Sequence, residues 1–243
     1  DPEIGRFLSE DPLGFGAGIN FYAYVENNPV NGNDPDGLLS VYVHGTVFGN
    51  QRPTYADPGT PFNDALKATY GEDIYVFRWT GGNSVSARTA AATKLLNKVQ
   101  AMLAPGEQFN FVGHSHGGNV GKEFTQLPGA PFVDTFVALG TPQRVDYTIN
   151  SGNVGQYINA FTRSDQVQRI GGPVWLGGLA TRQDDAATNV NVGSQGWLSP
   201  LGSHFNMRST EVWNNNIDQL VTPAFPGTSP NFDLMNSVYC KGC

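Results

Sequence analysis

The run Gly113-His114-Ser115-His116-Gly117 holds a residue type and a spacing that can do chemistry. It matches G-x-S-x-G, follows the apolar run Phe109-Asn110-Phe111-Val112, and leads directly into Gly118. A strand that turns sharply and reopens as a helix lifts a serine hydroxyl off the sheet as a nucleophile. With 30 glycines in the chain the five letters alone are a weak signal, and the flanking strand and helix patterns decide the matter. Ser115 must then occupy a strained backbone position. Side chains two residues to either side would crowd the turn, and Gly113 and Gly117 carry none. The helix expected from Asn119 to Gln126 aims its amide dipoles at the serine, where they favour a developing oxyanion.

A serine nucleophile needs a base, and only His44, His114, His116 and His204 are available. His114 and His116 flank the serine, and the turn directs their side chains away from its hydroxyl. His44 ends the apolar run Leu39-Ser40-Val41-Tyr42-Val43 and reads as structural. His204, in a loop ahead of a helical stretch from Ser209 to Leu220, is the expected base. The acid that holds its tautomer should follow a strand between Ser115 and His204. Asp165, just beyond Tyr157-Ile158-Asn159-Ala160-Phe161-Thr162, fits that place. Asp146 falls in a loop, and Asp184 and Asp185 lie in a polar stretch that reads as solvated surface. An oxyanion needs two N–H donors. One is the backbone of His116, and the other falls to Thr46 or Val47 after the first strand. This chemistry asks for no cofactor and no metal.

The remaining pattern supplies elements to position these groups. Strands are expected at Leu39–Val43, Ile74–Phe77, Phe109–Val112, Phe132–Leu139, Tyr157–Thr162 and Asn189–Val192, with a long helix over Ala87–Leu103. Strands alternating with helices predict an α/β protein: a mostly parallel sheet with helices on both faces. Ligands of such sheets bind outside the carboxyl ends of the strands, where Thr46, Ser115, Asp165 and His204 would all lie.

Residues 39–243 suffice for one core but leave no room for a large cap domain. Two glycine-rich stretches, Phe48–Asn63 and Ile170–Ala180, read as flaps, the second equally as a buried loop packing Trp175 against the core. Residues 1–38 hold seven acids and one base, whereas the remainder holds fourteen acids and thirteen bases. The net charge of −7 is therefore mostly an N-terminal property. No basic patch or nucleic-acid motif is present, no segment is long and apolar enough for a membrane span, and no signal-like segment opens the chain. Cys240 and Cys243 read as a small terminal disulfide or two free thiols, since no further Cys or His cluster completes a metal site.

Two resemblances follow from these residues. Asp1 to Gly14, Asn20-Phe-Tyr-Ala-Tyr24, Asn27-Asn-Pro-Val30 and Asp34-Pro-Asp-Gly-Leu38 together resemble the C-terminal end of the Rhs (YD-repeat) core domain. That resemblance implies a closing segment of a β-shell around a toxin, with an aspartyl autoprotease to which Asp11 and Asp34 map and a cut between Leu38 and Leu39. Residues 39–243, through His44-Gly45-Thr46, the serine motif, Gly140-Thr141-Pro142, Asp165 and His204, resemble the lipase/esterase branch of the α/β-hydrolase superfamily. The expectation is an α/β-hydrolase fold behind a short Rhs-like tail, cleaving carboxylic esters, lipids among them, with transient contact to a membrane surface. The effector context implies delivery out of a bacterial cell, an Rhs shell and a cognate immunity protein as partners, and no nucleic acid. A short-chain soluble esterase, a serine peptidase or amidase, and a non-catalytic Rhs module are the alternatives.

Overall fold

The computed structural model describes residues 38–47, 53–104, 106–171, 180–193 and 200–221. Asp11, Asp34, Trp175, Cys240 and Cys243 lie outside the described residues. Among the described residues six strands form one sheet: β1 (Leu38–Val43), β2 (Ile74–Phe77), β3 (Gln108–His114), β4 (Val133–Leu139), β5 (Val154–Phe161) and β6 (Thr188–Asn191). Their order is β2-β1-β3-β4-β5-β6, and every pairing is parallel. The helices between them are α1 (Pro61–Tyr70), α2 (Val85–Met102), α3 (His116–Gln126) and α4 (Gln166–Ile170). After β6 come α5 (Pro200–Asn206), α6 (Thr210–Val212), a π-turn over Trp213–Ile217 and a 3-10 turn over Asp218–Leu220. Among the described residues this is a parallel sheet flanked by helices.

Alternation along the strands explains the two layers. Leu39, Val41, Val43, Phe109, Phe111, Phe136 and Ala138 pack on one face against Leu95, Leu96 and Val99 of α2 and Val120 and Phe124 of α3. Tyr42, Val112, Val137, Leu139, Ile158 and Ala160 pack on the other against Phe62, Leu66 and Tyr70 of α1 and against Trp213. A period of two on each strand and apolar rows on each helix give both faces a buried cover. The chain leaves β1 to one side to reach β2 and returns past it to β3. The sheet therefore has its switch point between β1 and β3, where a crevice opens at the strand ends.

Several expectations change. β1 begins at Leu38, which pairs with Gln108, so the expected 38/39 junction falls inside the first strand. The stretch Phe48–Asn63 is not one flap: Pro61, Phe62 and Asn63 already belong to α1, which Thr60 caps by accepting from the Asn63 N–H. Pro61 at the first helical position needs no donor there. Ser209–Leu220 is not a single helix. The wider π-turn seats the fully buried Trp213 under α1, where its Nε1 donates to Thr69 Oγ1 at 2.7 Å. Asp184 is not a solvated acid. Its Oδ2 takes a 2.5 Å bond from Lys122 Nζ and another from the Tyr157 hydroxyl at 3.1 Å. Lys122 is 1% exposed and would be costly to bury unpaired. Burial alone would raise Asp184, but the Lys122 ammonium outweighs it and holds the carboxyl below its usual range.

Candidate active site

Ser115 stands between the last residue of β3 and the first of α3 with φ 54 and ψ −132, and among the described residues it is the one non-glycine with positive φ. That region costs on the order of 1–3 kcal/mol and persists only where the surroundings enforce it. Here they do. The Ser115 N–H is held by the Leu139 carbonyl at 2.9 Å, and its own carbonyl accepts from Gly118 N–H at 3.0 Å. A Cβ on Gly113 would come 2.6 Å from the Gly118 nitrogen, and one on Gly117 would drive into the Val43 carbonyl. Serine is a favoured helix cap, yet the Ser115 side chain makes no capping bond. The strained backbone turns its hydroxyl elsewhere, into a cleft of about 180 Å³ that Ser115 and His204 both line.

His204 lies on α5 rather than in a loop. The ring meets Asp165, which is 0% exposed, with Nδ1 2.7 Å from Oδ2. The other carboxylate oxygen caps α4 by accepting from Gln168 N–H at 2.8 Å. The carboxylate is therefore fixed at both oxygens, and it fixes Nδ1–H as the His204 tautomer that leaves Nε2 free of a proton. Gly140, at φ 56, passes beneath this pair. A Cβ there would sit 3.2 Å from Asp165 Oδ2 and 3.5 Å from His204 Nδ1.

The histidines beside Ser115 do a different job. His114 Nε2–H donates to the His204 carbonyl at 3.1 Å, and its ring packs on the His204 ring at 4.8 Å. It ties α5 to the end of β3, a role that the sequence reading did not give it. His116 lines the cleft, and its Nδ1 accepts from Asn119 Nδ2 at 3.0 Å. His44 stacks on Trp79, donates from Nδ1 to the Gly45 carbonyl at 2.8 Å and accepts the Trp79 N–H at Nε2, which is a structural role. Of the two expected oxyanion donors on the first loop, Val47 spends its N–H on the Gly81 carbonyl at 3.0 Å and does not line the cleft. Thr46 lines it, and its buried hydroxyl has no partner among the described residues. The backbone N–H of His116 opens α3, where no intrahelical acceptor exists for it.

Burial, reinforced by Arg88 and Arg144, pushes His116 down to about 3. Burial with His204 and Arg208 pushes His114 well below its ordinary value, and burial lowers His44. In the unfolded chain all three take up a proton near pH 6.5, while in the folded state each does so only at lower pH. Stability is therefore greatest above that value and falls as pH drops below it, by up to about 1.4 kcal/mol per pH unit for each histidine. Urea midpoints should fall between pH 7 and pH 5, well before the carboxylates titrate. A flat profile over that range would contradict the buried, neutral assignment.

Among the described residues no group of three or more His, Cys, Asp or Glu is arranged to hold a metal, and no helix is long and apolar enough to cross a membrane. No family model matches the chain. Short stretches are similar to curated proteins. The double-stranded DNA deaminase toxin A of Burkholderia cenocepacia is 42% identical over 57 residues, covering 23% of this chain and 4% of that protein. The toxin protein Tse5 of Pseudomonas aeruginosa is 55% identical over 38 residues, 16% of this chain and 3% of that protein. The toxin subunit YenC2 of Yersinia entomophaga is 51% identical over 37 residues, 15% of this chain and 4% of that protein. The chain thus spans a few per cent of the length of these relatives. Among solved structures, carboxyl esterase 2 of the mycorrhizal fungus Tuber melanosporum is similar at 20% identity and a TM-score of 0.33, over 45% of this chain and 39% of that one. The likeness to toxin proteins is therefore partial in length.

Proposed function

We propose that the chain is a serine hydrolase of carboxylic esters, lipid esters included, and that it works through an acyl-enzyme. The observation that carries the reading is the strained Ser115, at the carboxyl end of a central strand, in one cleft with a histidine bonded to a buried aspartate. Ser115 attacks the ester carbonyl while His204 Nε2 takes its proton, and Asp165 stabilises the resulting imidazolium. The backbone N–H groups of His116 and Thr46 hold the oxyanion. His204 returns the proton to the leaving alcohol, and a water activated by the same base then frees the acid. No cofactor enters the cycle.

The similarity to toxin proteins supports placing this activity in an effector, released from an Rhs shell by a cut between Leu38 and Leu39 and restrained by an immunity protein. Such a cut would leave β1 from Leu39 onward, still paired with β3 from Phe109. The test is labelling with a fluorophosphonate followed by peptide mass mapping. The adduct is expected on the peptide holding Ser115, and on no other serine. Absence of any adduct in folded protein would sink the serine-hydrolase reading. A profile of rate against acyl length then separates lipid esters from soluble C2–C4 esters.

A further inference from the structure

The wall of the cleft opposite the strand ends carries one charge. Arg208 lines the cleft together with Ser115 and His204, and its guanidinium lies 3.3 Å from the centroid of Tyr55 and 4.8 Å from that of Phe205. Tyr55 is itself held edge-on by Tyr42 and His114. Stacking uses the faces of a guanidinium and leaves its in-plane N–H groups to donate. Arg144 pairs with Asp146 and Arg78 with Asp57. Among the described residues Arg208 has no such ion pair, and no carboxylate lines the cleft. Three exposed apolar side chains line the same cleft, Ile170 at 66%, Leu201 at 54% and Phe205 at 44%, beside the polar Asn83.

From this we infer that Arg208 is an anion subsite and that the ester cleaved in this cleft carries a phosphate beside the scissile bond, as a glycerophospholipid does. The inference rests on the ester-hydrolase reading and narrows its substrate. An acyl chain matches Ile170, Leu201 and Phe205, and a phosphate matches the guanidinium fork. A neutral acylglycerol leaves the arginine unpaired. The charge also has to act locally, because residues 39–243 hold fourteen acids and thirteen bases and give an anion no long-range steering.

The experiment compares kcat/KM on monomeric dihexanoyl phosphatidic acid and on dihexanoylglycerol, with dihexanoylglycerol hemisuccinate as the carboxylate control. The wild type is expected to favour the phosphate substrate by roughly 10- to 100-fold, carried in KM. Arg208→Gln keeps a planar group over Tyr55 but no charge, and should bring the ratio close to one. Arg208→Met should do the same. A wild-type ratio near one, or a ratio that both variants leave unchanged, overturns the subsite. Equal preference for the hemisuccinate overturns the phosphate assignment. Calorimetric titration of Ser115→Ala protein with dihexanoyl phosphatidic acid separates the two readings. If none of the three esters is hydrolysed by the wild type, yet binding weakens at least tenfold when Arg208→Gln is added, the subsite stands and ester hydrolysis falls. If all three esters are hydrolysed with no dependence on Arg208, the reverse holds.

Discussion

Ser115→Ala is expected to lower kcat/KM on a short p-nitrophenyl ester by on the order of 10⁵- to 10⁶-fold, with no loss in Tm. The size of the effect follows from the role: without the hydroxyl no acyl-enzyme forms, and what remains is binding and oxyanion stabilisation. Stability should hold because the Ser115 side chain makes no capping bond, so its loss strips nothing from α3. Alanine also inherits the same strained backbone at φ 54. Circular dichroism and a thermal melt accompany the kinetics. Activity within tenfold of wild type in a folded variant would remove Ser115 from the mechanism.

Asp165→Asn should cost roughly 10⁴-fold in kcat while sparing the fold. An asparagine still accepts from the Gln168 N–H, so the cap on α4 is kept. What changes is the atom facing His204 Nδ1, now 2.7 Å from a carboxylate oxygen. An amide NH₂ placed there donates instead of accepting, moves the imidazole proton to Nε2, and leaves no base for Ser115. Adding Asp165→Asn to Ser115→Ala should cost little more than Ser115→Ala alone, because groups that act as one unit are not additive. Losses that multiply in the double variant would mean that Asp165 acts apart from the serine.

The sequence carries most strands of this sheet well, since β2 to β5 alternate or run apolar, whereas β6 holds one apolar residue, Val190. The turn at Ser115 was legible for the same reason: a steric demand on Gly113 and Gly117 writes itself into residue type. Helix α1 was not read from the sequence: Thr60-Pro61 followed by Phe62, Ala65 and Leu66 carries its signal, but the glycine and proline density before it reads as a flap. Other features belong to tertiary structure. Asp184 looks like surface because the lysine that buries it stands 62 positions away on α3. Val47 was an open candidate until the Gly81 carbonyl claimed its N–H. His204 sits on a seven-residue helix containing Pro200 and Gly202, a poor helix former by itself. Contact with α4 and the His114 tether hold it.

That short helix has a consequence for anyone reshaping the cleft. Leu201 and Phe205 form the doorway, and His204 rides on the same two turns, pinned through its carbonyl to His114. Doorway and proposed base are one rigid piece. With His204 as the proposed base, selectivity and turnover are expected to be geared together. A library that widens the entrance at Leu201 or Phe205 will tilt the imidazole as it does so, and gains in substrate range will arrive with losses in rate unless the β3 tether is left intact.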